Sequence, residues 1–487
     1  MNCFFNQQLK NFNMNTKTYI SMLLITGIVT LFSSCDKNND NEPEPVIDDT
    51  VNQWIGTQMR SMYYWYDEIP DNNKLNFNQE TESFFTSLLS NKDGKDTDNG
   101  HHFYSYIEKT PTVSKSYYGD RPSLGFEFQL WFIKSIQKYA VNILYTLPNS
   151  PASENGLKRN DWILTIDNSS VDPTNVAKLI SGMPVTLGIS DASENQVSRT
   201  VTLSPALVID NPVYLDTIYN TSNFANPEIP RGIKVGYLVY NHFTSGPNGD
   251  KDETFNNSLR NVFAKFKAGN VDDFILDLRY NMGGIVTSAQ LLATMLAPAS
   301  ALNQEFCHLI YNDQQTNLNR TLTLDTKYMK QGANGENLNL GRLFIITSNR
   351  TASASEAVIN GLRPYMGDNI YLIGAQTEGK NVGSITISDT RFDYRLHPIV
   401  CQLYNKNNES DYTNGFSPID KERREGDAGK EMFELGNIND YLLFITMQYV
   451  LFGQVVSENN TKAASISDWT PIYSSLDSKQ VNGVIIP

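Results

Sequence analysis

The chain has 487 residues, 40% of them hydrophobic and 19% charged, with a formal charge of -14. That length exceeds one ordinary domain and predicts roughly two to four. The acidic balance and the lack of a basic stripe argue against a nucleic-acid partner, and solubility accounts for the charge.

Lys17 precedes an apolar run from Ile20 to Phe32, which ends in Ser33-Ser34-Cys35. The run is too short to span a bilayer comfortably and has the order of a targeting segment. Its small residues before a cysteine resemble a bacterial lipobox. That implies a lipoprotein signal peptide over 1–34, with Cys35 lipidated as the mature N-terminus; Met14 offers an alternative start. Loss of 1–34 removes Lys10 and Lys17 and no acid, so the remaining chain is the more acidic. Residues 35–50 have no apolar periodicity and read as a solvated tether. Their acidic start resembles the export signals of Bacteroidetes lipoproteins. The expected location is the cell envelope, periplasmic or outer-membrane surface, with membrane contact through the lipid anchor only.

Residues 51–115 read as a small N-terminal helical domain: Ile55, Met59, Met62 and Tyr66 recur at helical spacing. Asp67-Glu68-Ile69-Pro70 ends that helix. His101-His102 is an isolated pair that reads as surface. Cys307 and Cys401 are the cysteines left after the signal and the lipid site, and their pairing stays open. No metal-ligand spacing links them to the histidines, so neither a metal nor a cofactor is expected.

Residues 120–205 form a further unit. A strand opens at Ser123 to Phe128 and another runs from Asn142 to Leu147. Ser150 to Asn168 then reads as short helix, glycine, turn, and a strand ending in an Asp-Asn turn. A helix at Pro173 to Ser181 and a strand at Arg199 to Leu203 complete it. The order resembles a PDZ domain. The resemblance implies that Leu124, Gly125 and Phe126 offer backbone N–H groups to a peptide terminus, with the peptide adding as a strand.

Residues 206–455 alternate strands and helices, which predicts an α/β core with functional residues at strand ends. Strands are expected at Gly236–Tyr240, Phe274–Arg279, Leu343–Thr347 and Ile370–Gly374. Helices are expected over Asp252–Lys267, Thr287–Leu296, Glu356–Leu362 and Asp440–Phe452, the third stopped near Pro364 and Gly367. Residues 456–487 read as a tail, with a short strand at Val484 to Ile486.

Three motifs carry chemistry. Thr351-Ala352-Ser353-Ala354-Ser355-Glu356 puts a serine at a strand-to-helix turn, near free helix N–H groups. Thr377-Glu378-Gly379-Lys380 supplies a lysine, which burial can convert into a base. Asp277-Leu278-Arg279 leads into Gly283-Gly284. Each is only moderately specific alone. As plain structure, Ser353 or Ser355 is a helix cap, and Glu356 a first-turn acid favouring the helix dipole. His242 and His397 raise a Ser/His alternative, though neither lies in a recognisable motif.

In this order, after a PDZ-like insert, the motifs resemble the C-terminal processing (tail-specific) peptidases of family S41, over roughly 50 to 450. The resemblance implies a multidomain α/β fold with a ClpP/crotonase-like core. It implies Ser353 as nucleophile and Lys380 as general base, with Ala354 and Gly283 or Gly284 lending N–H groups to an oxyanion hole. Many relatives place a helper glutamine four residues after the lysine; here that position is Ser384, and Ser384, Gln376 and Glu356 are the candidate helpers. The implied activity is that of a serine endopeptidase acting on protein or peptide substrates, selecting C-terminal or unfolded segments through the PDZ-like unit. The alternative is a peptide-binding lipoprotein with weak or lost catalysis. Oligomeric state is not legible.

Overall fold

The computed structural model describes residues 50–97, 100–109, 121–190, 196–248, 251–330, 335–425, 432–457, 469–478 and 484–486. All belong to one compact unit, Asp48–Pro487. The expected signal peptide over 1–34, Cys35 and nearly all of the expected tether lie outside the described residues. Among the described residues no helix is long and apolar enough to cross a membrane.

Helix α1 (Val51–Met62) opens on a capping box in which Thr50 and Gln53 each satisfy the other's backbone N–H. It buries Trp54, Ile55 and Met59. The expected helical domain is in fact mixed. Lys95–Thr97 and Gly100–His102 form a hairpin, and Tyr106–Lys109 pairs antiparallel with Tyr394–His397. Leu396 and Ile399 of the core join the same apolar cluster as Trp54 and Phe84. The unit is thus stitched into the core by a shared sheet.

The next unit is an antiparallel sheet. Its strands are β1 (Phe126–Ile133), β2 (Lys138–Thr146), β3 (Trp162–Ile166), β4 (Val185–Ser190) and β5 (Arg199–Leu203). The spatial order is β5-β4-β3-β2-β1, and a C-terminal strand, Trp469–Ser474, adds to β1. Phe128, Leu130, Ile143, Ile163 and Leu187 fill its core. The helix expected at Pro173 to Ser181 is only a 3-10 segment, Val176–Ile180. Asp172 Oδ1 accepts the N–H groups of Thr174 and Asn175 and caps the turn, after which the segment closes i to i−3 bonds such as Lys178 N to Asn175 O at 3.0 Å.

The core sheet comprises β6 (Val213–Asn220), β7 (Lys234–Tyr240), β8 (Asp273–Asp277), β9 (Leu343–Thr347) and β10 (Ile370–Gly374), in that spatial order. β6 is antiparallel to β7, and the others run parallel. Helices α2 (Thr254–Gly269), α3 (Val286–Leu296) and α4 (Ala354–Met366) cover one face, packing on Leu238, Phe274, Leu276 and Ile345. Helix α5 (Tyr441–Phe452) covers the other, on Tyr237, Ile275, Phe344 and Ile346. Alternate side chains of each strand feed opposite layers, so the strands read as continuous apolar runs.

α4 runs through Pro364 and ends at Met366 with Gly367 as its C-cap, at the expected stop. Proline lacks the N–H that would bond Asn360 O, and Asn405 Nδ2 donates to that carbonyl instead, at 3.2 Å. A smaller sheet runs in the order Arg320–Thr323, Glu305–Tyr311, Ile399–Tyr404, Val382–Ser384, Val484–Ile485. Cys307 and Cys401 lie on neighbouring strands of it, but Cys401 stands opposite Tyr311 and both thiols are free and buried.

Candidate active site

The carboxyl ends of β8 and β9 lie side by side, and each feeds one motif. After β9 the chain turns through Ser348 to Ala352. Thr351 Oγ1 donates to Leu278 O at 2.8 Å and accepts the Ser348 N–H at 2.9 Å, which clamps the turn onto the end of β8. Ser353 then sits at φ +61° and ψ -112°, a conformation that costs a non-glycine residue energy. Such a strained strand-to-helix turn fixes where the hydroxyl points. Ser353 is fully buried, and its Oγ has no hydrogen-bond partner among the described residues. The turn has the outline of a capping box with Glu356, but only the backbone half closes.

The diglycine loop presses on this turn. Gly283 has φ +107°, and a Cβ there would lie 2.8 Å from Ser353 Cβ and 3.0 Å from Ala354 N. Only glycine allows that approach. Asn281 rivets the two loops: its carbonyl accepts from Ala352 N (3.1 Å) and Ser355 Oγ (3.0 Å). Its Nδ2 donates to Tyr240 O at 2.7 Å, while its Oδ1 accepts the Gly283 N–H at 2.9 Å. Ala354 opens α4, so its N–H has no intrahelical acceptor. In this state, then, Ala354 faces the turn with an available donor while the Gly283 donor is engaged.

Glu356 joins the serine turn to the lysine loop. Its Oε2 accepts from Ser353 N and Lys380 N, each at 2.8 Å; its Oε1 accepts from Gly379 N and Thr377 Oγ1, each at 2.6 Å. All four partners are donors, an arrangement that suits a carboxylate. Burial pushes the Glu356 carboxyl up to about 7, against the pull of those hydrogen bonds. The acid is therefore a tie between two loops and more than a first-turn charge. Thr413 and Gly415 close over Gly379, and Phe416 N donates to Thr377 Oγ1, so the segment near Tyr412 to Asp420 backs the lysine loop.

The Lys380 side chain is buried, and burial lowers its amine to about 8 while Asp93, Glu378 and Glu356 pull the other way. Its Nζ lies 4.5 Å from the centroid of the Tyr104 ring. Asp93, itself fully buried, accepts the N–H groups of Tyr104 and Ser105 and the Tyr63 hydroxyl. Lys95 pairs with Glu378 at 2.6 Å. The N-terminal unit therefore builds the lysine's surroundings. Lys380, Ala352, Tyr104, Met282, Arg350 and Ile472 are among the residues lining an open cleft of about 360 Å³.

Beneath the strand ends lies a buried ion cluster. Arg279 bonds Asp277, Asp440 and Glu425, and Arg159 bonds Glu425 and the Tyr280 hydroxyl. Asp440 also caps α5. Asp277 and Arg279 thus fix the end of β8.

The other expected residues fall as follows. Gln376 Nε2 donates to Asn414 O, away from the serine turn. Ser384 is buried in Val382–Ser384, opposite Ile399 and Ile485. His242 bonds Thr244 and faces Asp210; His397 stacks on Tyr106 and faces Glu108. Neither histidine bonds Ser353 Oγ. His102, expected at the surface, lines the cleft. Gly125 has φ +79°, and its carbonyl accepts from Leu147 N and Ser150 Oγ, which shapes the Leu124-Gly125-Phe126 loop. No group of metal-ligating side chains is present among the described residues. Sequence reasoning missed Asn281, Asp93 and Tyr104; the only local signal was Asn281 beside the diglycine.

Comparison with known proteins places the chain in a family. Residues 234–391 match the profile of Peptidase family S41, and residues 50–106 that of the Peptidase S41 N-terminal domain. The carboxyl-terminal-processing protease of Picosynechococcus is 23% identical over 242 residues, covering 50% of this chain and 51% of the relative. That of Synechocystis is 25% identical over 248 residues, covering 50% of each. The chain spans about half the length of these curated relatives. A solved structure from Bacteroides fragilis, described as an S41 protease, is 33% identical with a TM-score of 0.69, covering 84% of this chain and 98% of that one. The chain therefore belongs to peptidase family S41.

Proposed function

We propose that the chain is a serine endopeptidase in which Ser353 attacks and Lys380 is the general base. The observation that carries this reading is the single Glu356 oxygen that accepts both Ser353 N and Lys380 N, beside a buried lysine. The neutral amine takes the Ser353 proton as Oγ bonds the carbonyl carbon of the substrate. The Ala354 N–H and one amide of the Gly283-Gly284 pair stabilise the resulting oxyanion; for Gly283 this requires release from Asn281. The lysine then returns the proton to the leaving amine, and water resolves the acyl-enzyme by the same exchange. Substrates are proteins or peptides, drawn from C-terminal or unfolded segments that reach the cleft beside the PDZ-like unit. Cys35 anchors the protein by lipid in the cell envelope.

One observation favours the second reading, a peptide binder with weak or lost catalysis: Ser353 Oγ is fully buried and makes no bond to Lys380. Incubation of the full chain with an unstructured protein such as casein, followed by mass spectrometry, separates the two. Cleavage by wild type that disappears in both Ser353→Ala and Lys380→Ala supports the peptidase. Equal cleavage by all three chains, or by none, rejects it.

A further inference from the structure

The strand edge expected to receive a peptide is already filled. Trp469–Ser474 runs antiparallel along β1, from Trp469 opposite Ile133 to Ser474 opposite Gln129. It therefore heads toward the Leu124-Gly125-Phe126 loop, as a peptide whose carboxylate docks there would. Its seat is a built one. Ser475 Oγ accepts the Phe128 N–H at 2.8 Å and donates to Glu127 at 2.6 Å. Ser474 Oγ donates to Phe128 O at 3.0 Å, and Gln129 Nε2 donates to Tyr473 O at 2.9 Å. Trp469 packs edge-on against Trp162 with ring centroids 4.9 Å apart. Ser474, Ser475 and Leu476 are buried. A strand held in this way is part of the wall.

That wall has one irregularity. Pro471 stands opposite Trp131 and Tyr473 opposite Leu130, so Ile472 is the extra residue of a bulge. Bulges re-aim side chains, and they concentrate beside active sites. Ile472 is an apolar side chain left 46% exposed, on the cleft that also holds Lys380 and Met282.

We infer that Ile472 is a specificity-determining residue, presented to the substrate by a strand that permanently occupies the β1 edge. The chain selects extended segments by an apolar side chain set against Ile472, and it does not require capture of a free terminal carboxylate. The consequence for turnover rests on the serine-peptidase reading; the consequence for binding does not.

The test uses the full chain carrying Ser353→Ala and a fluorescein-labelled, unstructured, leucine-rich peptide, read by anisotropy. Ile472→Asp weakens binding by about tenfold, the scale of one apolar contact in a pocket. Ile472→Leu keeps it, and amidating the peptide's C-terminus leaves it unchanged. With Ser353 restored, Ile472→Asp lowers kcat/KM on the same peptide by a similar factor. Equal binding by the Ile472→Asp chain, loss of binding on amidation, or no binding by the Ser353→Ala chain overturns the inference. Binding that depends on Ile472 without turnover in wild type leaves it standing and rejects the peptidase.

Discussion

Ser353 N and Lys380 N donate to the same oxygen, Glu356 Oε2, each over 2.8 Å. Two loops from different strand ends are thereby referenced to one atom. Any displacement of that carboxylate moves Ser353 relative to Lys380.

Replacing Glu356 with glutamine leaves one acceptor oxygen for four donors and turns an NH2 toward donors. The expected result is a kcat lowered about 10²-fold with KM little changed, the scale that a small misplacement costs. Each buried donor left unpaired costs about 1–3 kcal/mol, so the melting point falls as well. Steady-state kinetics and thermal unfolding check both, and an unchanged kcat would refute the role.

Lys380 accepts a proton only when neutral. With its amine near 8, kcat/KM rises with pH and reaches half its plateau near pH 8. Burial is the main cause of the depression, so Tyr104→Ala, which admits water, moves that midpoint toward the ordinary 10.5. The same burial destabilises the fold at neutral pH. Between about 8 and 10.5 the unfolded chain holds more protons at this lysine than the folded one, so its penalty is full below that window and fades as pH rises through it. Lys380→Met should therefore melt higher than wild type at neutral pH while losing activity. A pH profile that falls through this range counts against the lysine as base.

Arg279 pairs with Asp277, Asp440 and Glu425 in a buried cluster, where Arg159 is the second cation against three carboxylates. Arg279→Met removes the guanidinium that bonds Asp277, while Glu425 keeps Arg159, and breaking such a buried pair costs about 3–5 kcal/mol. Denaturant unfolding would show it as a lowered midpoint.

Asn405 covers the carbonyl that Pro364 leaves open in α4. Asn405→Ala should cost about 1–3 kcal/mol, and less in a Pro364→Ala background, where the helix supplies its own donor. A double-mutant cycle measures the difference; purely additive effects would exclude the compensation.

The strands Leu343–Thr347, Ile370–Gly374 and Arg199–Leu203 lie where their residue patterns put them. A run buried on both faces, or a strict alternation, specifies such a strand locally. Ser353 and Lys380 were legible because short motifs mark them. The surroundings of Lys380 were not, because Asp93 and Tyr104 carry no signal of their own and reach the lysine through a distant hairpin. Trp469–Ser474 escaped notice for a related reason: Pro471 and a bulge break its alternation, and the seat on β1 comes from residues far upstream. The helix over Pro173 to Ser181 was over-read: the segment closes as a 3-10 turn over Val176–Ile180, with Lys178 N bonded to Asn175 O.

The seating of Trp469–Ser474 on β1 also bears on biosynthesis. Gln129 and Tyr473, which bond across that pairing, are 344 residues apart in the chain. Contacts of such separation form late, only after the ribosome has delivered Tyr473. Until then the cleft lacks one wall, and the surface on which Ile472 sits is not yet assembled.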